Sequence, residues 1–429
     1  MMAAGRAAEL GARVILFERN PRTGKKLLIT GGGRCNVTNN IDDRHVLVSR
    51  YGGEARGLHS PFSRFSPAAM RAFLSERGLA TREEDEGRVF PVTNSAASIR
   101  EVLERYLRDG GVEVRTRCTV GALVVGSAPA DTVLTGSGGA TAGAGAEAHP
   151  RSTVTGVRLE DGTTVEAAAV ILATGGVSRL ETGSGGDGFR FLEETGHAVR
   201  MPEPSLVPVA VRESWVEKLQ GVSLPEAKLS AWLDGKRQFD GTGKLLFTHF
   251  GLSGPLTLNL SQRINELAQG GTVELQVDLF PRDDGGAVER MLQATFDAES
   301  GKMLQNVLLR LMPARVASVV LERTGVDGET RCHSVPRDAR RRLASALKGV
   351  RFTFQSLLGE EKAVVSSGGL QPREIDFRTM ESKLVCGLYV TGDLIDVDRR
   401  SGGYSLQLCW ATGWVAGESA ATRESATLG

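Results

Sequence analysis

The sequence lacks paired cysteines and long apolar runs, and both absences narrow its class. Five cysteines are scattered over 429 residues without a Cys-x-x-Cys pair, namely Cys35, Cys118, Cys332, Cys386 and Cys409. Neither a disulfide framework nor a zinc or other metal site is indicated, and a reducing, cytoplasmic setting fits best. Apolar runs such as Ala167 to Ala173 are far shorter than the ~18 residues that span a bilayer, so we expect no membrane association.

A strong charge imbalance is also missing. The formal net charge is +1, which argues against a globally electropositive nucleic-acid binder but says nothing about local patches. Hydrophobic residues make up 41% and charged residues 24% of the chain, which is ordinary for a soluble globular protein. A chain of this length can bury a large core, and the usual domain size predicts two or three domains.

The N-terminus lacks the first half of the βαβ unit that its residues predict. Met2 to Leu10 has helical composition, Gly11 is placed as its C-cap, and Arg13 to Phe17 predicts a short strand that ends at Glu18. In a dinucleotide-binding fold an acidic residue at this place binds the adenosine ribose; a solvated acid is the equal alternative. The strand and Gly-x-Gly-x-x-Gly turn that should come first are not in the sequence, so we expect a misplaced gene start or a truncated gene.

The stretch from Leu27 to Asn40 carries the strongest chemical signal. Three successive glycines, Gly31 to Gly33, allow positive φ and remove every Cβ, so a flat or phosphorylated ligand can approach the main chain. Arg34 adds a fixed charge beside them, and Lys25 and Lys26 would suit a pyrophosphate. The alternatives are a flexible turn and solvated surface charge.

Two later stretches repeat this pattern of glycines at strand ends. Ala168 to Gly176 predicts a buried strand that ends in Thr-Gly-Gly, and Gly387 to Asp393 predicts a strand that ends in Gly-Asp. Ser401 to Tyr404 then leads into a helix from Leu406 to Ala416, whose first N–H groups could meet anionic or carbonyl oxygens. Each feature alone is weak, and together they predict one ligand cleft.

The middle of the chain has a different texture. Residues 126–150 are rich in Gly, Ala, Ser and Thr, and we expect a flexible surface insertion there. Short alternating segments from about residue 197 to 355 predict an antiparallel barrel, followed by helices over Met291 to Leu311 and Ala314 to Glu322. The turn-rich segment Phe247 to Pro255 contains His249 and is equally consistent with a structural turn or a functional loop.

A basic segment follows the barrel strands. Arg310 to Arg351 holds ten Lys and Arg against four Asp and Glu, including Arg340, Arg341 and Arg342. Such a run is usually a solvated helix face, with nucleic-acid contact as the alternative.

The series that follows Glu18 resembles the signature of the BaiN/RdsA-like family of NAD(P)/FAD-dependent flavoproteins; it reads Lys25-Lys26-Leu27-Leu28-Ile29-Thr30-Gly31-Gly32-Gly33-Arg34-Cys35-Asn36-Val37-Thr38-Asn39. Further blocks resemble that family in its order: Gly87 to Pro91, Ala173 to Gly176, Thr182 to Gly188, Phe247 to Pro255 and Gly392 to Tyr404. The resemblance implies an α/β fold, with a Rossmann-type FAD-binding domain in two parts, residues 1–196 and 356–429. An inserted β-barrel and small helical domain would occupy residues 197–355.

The resemblance also implies a cofactor site. Glu18 would bind the adenosine ribose, Val120 would contact adenine, and Asp393, where the family often has Glu, would hold the ribityl or phosphate side. The remaining implied FAD contacts are Lys25, Lys26, Gly31, Gly32, Gly33, Arg34, Cys35, Asn36, Ala173, Thr174, Gly175, Gly176, Gly392, Gly402 and Gly403.

The implied activity is an NAD(P)H-driven reduction of a carbon–carbon double bond conjugated to a carbonyl. Reduced flavin would deliver hydride to the β-carbon, and a protein acid or water would protonate the α-carbon. His249, Tyr404 and Cys35 are candidate acids by type and neighbourhood only. Substrates in the family include steroid-like enones and uridine of ribosomal RNA, so a ribosomal RNA dihydrouridine synthase is the alternative enzyme. A truncated, non-enzymatic protein is the third hypothesis.

Overall fold

The computed structural model describes residues 1–52, 55–127, 152–358 and 365–428. Its helices are α1 (Met2–Glu9), α2 (Arg44–Val48), α3 (His59–Arg64), α4 (Pro67–Glu76), α5 (Ala96–Asp109), α6 (Asp187–Glu194), α7 (Gly254–Ala268), α8 (Gly285–Ala298), α9 (Leu304–Leu308), α10 (Ala314–Thr324), α11 (Arg337–Lys348) and α12 (Tyr404–Leu428). None of these described helices is long and apolar enough to cross a membrane.

The strands are β1 (Ile15–Glu18), β2 (Thr38–Asn39), β3 (Thr81–Glu84), β4 (Arg88–Pro91), β5 (Glu113–Thr116), β6 (Val120–Ser127), β7 (Ser152–Leu159), β8 (Thr164–Glu166), β9 (Val170–Leu172), β10 (Val199–Ser205), β11 (Val209–Val211), β12 (Ser223–Leu233), β13 (Lys236–Phe247), β14 (Gly251–Ser253), β15 (Val273–Asp278), β16 (Val350–Leu357), β17 (Val365–Leu370), β18 (Ile375–Asp376), β19 (Glu381–Ser382), β20 (Val385–Cys386) and β21 (Leu388–Val390). Two compact units contain them: Met1–Pro204 with Val365–Gly429, and Ser205–Val364. Residues 128–150 of the expected insertion lie outside the described residues.

The first unit has the parallel pairing of a Rossmann-type fold. Strands β1 and β5 pair in parallel, and so do β9 and β21, with Leu172 opposite Val390. Helix α5 shows how the local sequence specifies an element of this unit. Its N-cap Ser95 accepts a hydrogen bond from the N–H of Ala97, and apolar residues at helical spacing form its buried face: Ile99, Val102, Leu103, Tyr106 and Leu107.

The second unit is a closed barrel with helices around it. Its strands follow the order β11-β14-β13-β12-β15-β16, and neighbouring strands are antiparallel. In β15 the residues alternate between buried and half-buried, with Val273, Leu275 and Val277 in the core. This period of two places one face of each strand inside the barrel. The predicted architecture, a Rossmann-type domain interrupted by a barrel and helices, is confirmed.

One predicted helix is wrong. The segment Met291 to Leu311 is not continuous: α8 ends at Ala298 and α9 begins at Leu304. The break follows from local chemistry, because Gly301 lies between the two apolar stretches and weakens a continuous helix. The Glu299 carboxylate instead forms ion pairs with Lys302 and Arg310.

Candidate functional site

Loops that follow three strands meet in the first unit. Glu18 ends β1, Ala173 follows β9, and Gly392 begins two residues after β21. Thr391 joins the last two strand ends, because its hydroxyl donates to the backbone oxygen of Leu172 at 3.0 Å. Ligands of open α/β sheets bind at the carboxyl ends of strands.

Lys26 connects these loops. Its Nζ lies 2.9 Å from Ser178 Oγ and 3.5 Å from Ser184 Oγ, both in the segment that follows β9. The same ammonium lies 3.7 Å from Asp393 Oδ2, after β21. Lys25 donates from its Nζ to the backbone oxygen of Glu181, which adds a second tie between the first two loops. The contact of either lysine with an anionic ligand remains a prediction.

Glu18 has the environment of a hydrogen-bond acceptor at a strand end. Its Oε1 accepts from both the backbone N–H and the side-chain amide of Asn20, each at 2.8 Å. Asn20 also donates to the backbone oxygen of Thr182 at 2.8 Å, so Glu18 is tied to the loop after β9. Val120, the implied adenine contact, begins β6 two residues after Cys118, whose N–H donates to the Glu18 backbone oxygen at 3.0 Å.

The glycine stretch adopts the left-handed backbone that its composition allows. The φ values of Gly31, Gly32 and Gly33 are 56°, 68° and 86°, and Cys35 follows with 59°. Gly32 is exposed, and a Cβ at this position would meet nothing within 4 Å. The backbone of this turn is therefore open to a ligand.

Arg34 contacts residues on and near β3 and β4. Its guanidinium pairs with Glu84, donates to Asn94 Oδ1 at 2.8 Å, and lies 4.2 Å from the ring centroid of Phe90. Arg34 therefore has protein partners, and its side chain is 37% exposed. Its implied contact with the cofactor remains a prediction.

In the loop after β9, Ala173 and Thr174 are exposed, whereas Gly176 is buried. Gly175 has a φ of 77°, and a Cβ there would lie 3.2 Å from Ser184 Oγ. Thr174 packs on Gly188 in the first turn of α6, because a Cβ on that glycine would overlap the threonine hydroxyl. The four residues thus form one edge of the same group of loops.

The N-terminus of α12 is fixed by buried polar contacts. Asn39 donates to the backbone oxygen of Gly402 at 3.2 Å, and Thr38 donates to Gln407 Oε1 at 2.7 Å. Gly403 has a φ of 99°, and a Cβ there would lie 2.5 Å from the Thr38 carbonyl, so only glycine fits. The first N–H groups of this helix provide the partial positive charge that anions and carbonyl oxygens prefer.

Asp393 forms a buried ion pair that sequence reasoning missed. Its Oδ1 lies 2.8 Å from a terminal nitrogen of Arg399, whose side chain is only 1% exposed. Arg399 also donates to the Val397 backbone oxygen at 2.8 Å. The neighbouring Cys409 is a thiol, because burial and the charge of Asp393 raise its pKa to about 12. No spacing pattern in the sequence pointed to Arg399, because it lies in an irregular segment that follows Asp393.

The three candidate acids have different environments. Cys35 is fully buried, and burial raises the pKa of its thiol to about 12. Tyr404 lies at the Gly402–Gly403 turn, and burial also raises the pKa of its phenol. His249 is exposed in the second unit, on the turn between β13 and β14, with its ring 4.9 Å from that of Phe250. Only Cys35 and Tyr404 belong to the unit that holds the strand-end loops.

Comparisons with known proteins identify the family of this chain. The family model described as "HI0933-like protein Rossmann domain" matches residues 1–419. A 3-dehydro-bile acid delta(4,6)-reductase of Clostridium scindens is 30% identical over 413 residues, covering 96% of this chain and 93% of the relative. A ribosomal RNA dihydrouridine synthase of Haemophilus influenzae is 27% identical over 417 residues, covering 96% of this chain and 94% of the relative.

A solved structure shares the fold. The 3-ketosteroid delta1-dehydrogenase from Sterolibacterium denitrificans matches with a TM-score of 0.53 at 12% identity, over 98% of this chain and 97% of that one. At this identity the match speaks for the fold alone, which is of the Rossmann FAD-binding type. The resemblance carried by Glu18 and the Lys25 to Asn39 series is confirmed. The chain belongs to the HI0933-like family of Rossmann-domain proteins.

Proposed function

We propose that this FAD-dependent oxidoreductase reduces a carbon–carbon double bond conjugated to a carbonyl group, with NAD(P)H as the electron donor. The observation that carries the proposal is the meeting of three strand-end loops at Lys26. The reductase of 3-dehydro-bile acid, 30% identical over nearly the whole chain, supports an enone substrate. We propose a cytoplasmic setting, because NAD(P)H pools are found there.

The residues present fit FAD. Glu18, held by Asn20, would bind the ribose, and Lys26 with Lys25 would meet the phosphates. Asn36 Oδ1 is buried and has no hydrogen-bond partner among the described residues, which is costly unless a bound group or a small rotation supplies a donor. This atom lies 3.0 Å from the position of a Cβ on Gly403, which is one of the implied FAD contacts.

FAD bound here and reduced by NAD(P)H would supply the hydride that adds to the β-carbon of an enone. The chain must then orient the substrate, exclude water and deliver a proton to the α-carbon. Tyr404 is our candidate donor of that proton, because it lies at the Gly402–Gly403 turn and a tyrosine phenol is protonated at neutral pH. Cys35 is completely buried, whereas Tyr404 retains 7% of its surface, so the phenol is the more accessible of the two groups.

The test begins with the purified full-length chain. We expect it to be yellow with a flavin absorption band that bleaches anaerobically when NADH or NADPH is added, and the faster nucleotide identifies the donor. The reduced protein should reoxidise when a steroid-like enone is added, but not with the matching saturated ketone. Protein that takes up no flavin would overturn the proposal and favour the third hypothesis, a non-enzymatic member of the family.

Ribosomal RNA dihydrouridine synthesis is the second candidate, favoured by the relative of that name at 27% identity. The basic segment that supported it from sequence is partly neutralised in the structure. Arg340 and Arg341 lie 3.8 and 3.5 Å from Glu289, and Arg342 pairs with Asp338. Unchanged dihydrouridine in ribosomes from a deletion strain would count against this candidate.

A further inference from the structure

Two short segments of the first unit meet beside Tyr404. Tyr51 lies opposite Arg399 in an isolated antiparallel bridge, and the N–H of Gly52 donates to the backbone oxygen of Asp398 at 2.9 Å. The Tyr51 hydroxyl donates to the backbone oxygen of Tyr404 at 2.8 Å, and the centroids of the two rings are 6.0 Å apart. The bridge is thereby fixed next to the proposed proton donor.

The register of this bridge places two arginines across from each other. In an antiparallel pair the residues that flank a bridged position also face one another, so Arg50 lies opposite Arg400. Like charges at directly opposed positions are destabilising unless negative charge compensates them. Burial raises the pKa of the Tyr404 phenol, and the charges of Arg50 and Arg400 act on it in the opposite direction. Both guanidinium charges are therefore felt at this phenol.

The described residues supply no compensating charge. No ion pair joins Arg50 or Arg400 to a carboxylate in the part of the chain that the structure describes. The Nε of Arg50 is buried and has no hydrogen-bond partner there, which is costly for a charged group. Glu86 is the acid whose charge also acts on the Tyr404 phenol, and its carboxylate lies 3.9 Å from Arg88.

Asp398 is the acid closest to these arginines along the bridge, and it lies beside Gly52. A Cβ on Gly52 would lie 3.1 Å from the Cβ of Asp398 and 3.4 Å from its Oδ2. The carboxylate thus lies over the glycine and forms an ion pair with neither arginine. A planar guanidinium donates in two parallel directions, which matches the oxygens of a carboxylate or a phosphate. An anion from outside the protein would therefore satisfy both arginines.

We propose that Arg50 and Arg400 form a subsite for an anionic group of the substrate, so that the enzyme acts on a small enone that carries a carboxylate or a phosphate near its double bond. The inference rests on the proposed function, because it takes Tyr404 as the proton donor of the same site. The anionic group stays unchanged in the reaction and only orients the double bond. The proposal gives two residues outside the implied cofactor contacts a role in substrate choice.

The first test compares two probes that differ by one charge, acetylacrylate and its methyl ester, with the full-length protein loaded with FAD. We expect Arg50→Gln and Arg400→Gln to lower kcat/KM for the acid about tenfold more than for the ester, mainly through KM, because a charge-assisted hydrogen bond to the substrate is lost. Arg56→Gln is the matched control, since Arg56 is an exposed arginine of the same segment. It should change the ratio of the two probes by less than about twofold.

The second test measures binding without turnover. Levulinate, methyl levulinate and inorganic phosphate are titrated calorimetrically into the oxidised protein. Tighter binding of levulinate identifies a carboxylate as the group recognised, and tighter binding of phosphate identifies a phosphoryl group. We expect either anion to bind about tenfold more weakly to both glutamine variants, and Arg50→Lys to retain more affinity than Arg50→Gln because it keeps the charge. Anion binding that is equal in wild type and in both glutamine variants would overturn the inference.

Circular dichroism checks the folding of each variant. Arg400 is exposed, so Arg400→Gln decides if Arg50→Gln fails to fold. A wild-type chain that takes up no FAD overturns the proposed function itself. An FAD-loaded chain that reduces the acid and the ester with the same ratio in wild type and in the glutamine variants overturns this inference alone. If neither probe is reduced, the levulinate and phosphate titrations decide.

Discussion

The two units differ in what they bury. Among the described residues, the buried polar side chains of the second unit are Ser230, Thr257 and Ser261. The first unit contains the two buried charged residues, Asp393 and Arg399, and most of the buried hydroxyls and amides, including those of Thr38, Asn39, Gln407 and Thr412. Burial of apolar side chains stabilises a fold through an interaction that does not depend on direction. Buried polar groups, by contrast, reduce stability unless they are paired. Among the described residues, buried polar and charged side chains are therefore concentrated in the first unit, where protein partners pair them.

The comparison predicts that glycines of the two units differ in their tolerance. In Gly403→Ala the new Cβ would lie 2.5 Å from the Thr38 carbonyl at a φ of 99°, so we expect a loss of about 4 kcal/mol or more and no FAD binding. Gly235 in the barrel has a φ of 72° with nothing within 4 Å, and Gly235→Ala should cost only about 1 to 2 kcal/mol. Urea unfolding and flavin content check both, and equal losses would contradict the contrast.

The next largest difference is expected in the free energy of unfolding that is lost when an ion pair of each unit is broken. Arg399→Gln breaks a pair whose arginine is 1% exposed, and we expect a loss of about 3 kcal/mol in the free energy of unfolding. Lys218→Gln removes a barrel-unit pair with Glu322, where the side chains are 53% and 57% exposed, and should cost below about 1 kcal/mol. Chemical denaturation of both variants gives the answer, and a loss under 1 kcal/mol for Arg399→Gln would refute the prediction.

Tyr404→Phe should affect rate more than stability. Removing a general acid costs about 10²-fold in turnover, while FAD affinity should be unchanged. The acid must be protonated to act, and its pKa is raised above the ordinary value of about 10, so wild-type turnover should hold through neutral pH and fall only in the alkaline range. The residual turnover of Tyr404→Phe should not show this decrease at alkaline pH.

Tyr389→Phe is the control for this change, because Tyr389 is a buried tyrosine of β21 whose hydroxyl lies 3.4 Å from the Ser419 backbone oxygen. It should keep full turnover and the wild-type pH profile. Unchanged turnover in Tyr404→Phe would remove Tyr404 as the donor and leave water as the source of the proton.

The smallest effect is expected on the basic face of α11. Arg341 is 56% exposed and lies 3.5 Å from Glu289, so Arg341→Gln should change the free energy of unfolding by about 0.5 kcal/mol or less. If ribosomal RNA is the substrate and Arg341 meets a phosphate, the salt dependence of RNA binding should fall by roughly one counterion. An unchanged salt slope would count against RNA contact at this face.

Much of the fold followed from local sequence. The α1–β1 beginning and the alternating barrel strands depend on residues close together in the chain, and short-range periodicity predicts them well. The broken segment from Met291 to Leu311 shows the limit of this reasoning. Apolar periodicity continues across it, whereas the chain ends one helix at Ala298 because Glu299 and Gly301 favour a turn.

The sequence by itself determined the glycine turn from Gly31 to Gly33, the end of β1 at Glu18, the Gly392-Asp393 segment that follows β21, and the family. Each of these signals is contained in a few consecutive residues, so backbone preference and motif carry it. Tertiary structure alone decided that Lys26 meets Ser178, Ser184 and Asp393, and that Arg34 is held by Glu84. The partners are separated by tens or hundreds of residues, and only the packing of strand ends brings their charges within reach. Arg399 belongs to this second group, because its burial and its pairing with Asp393 are properties of the folded chain.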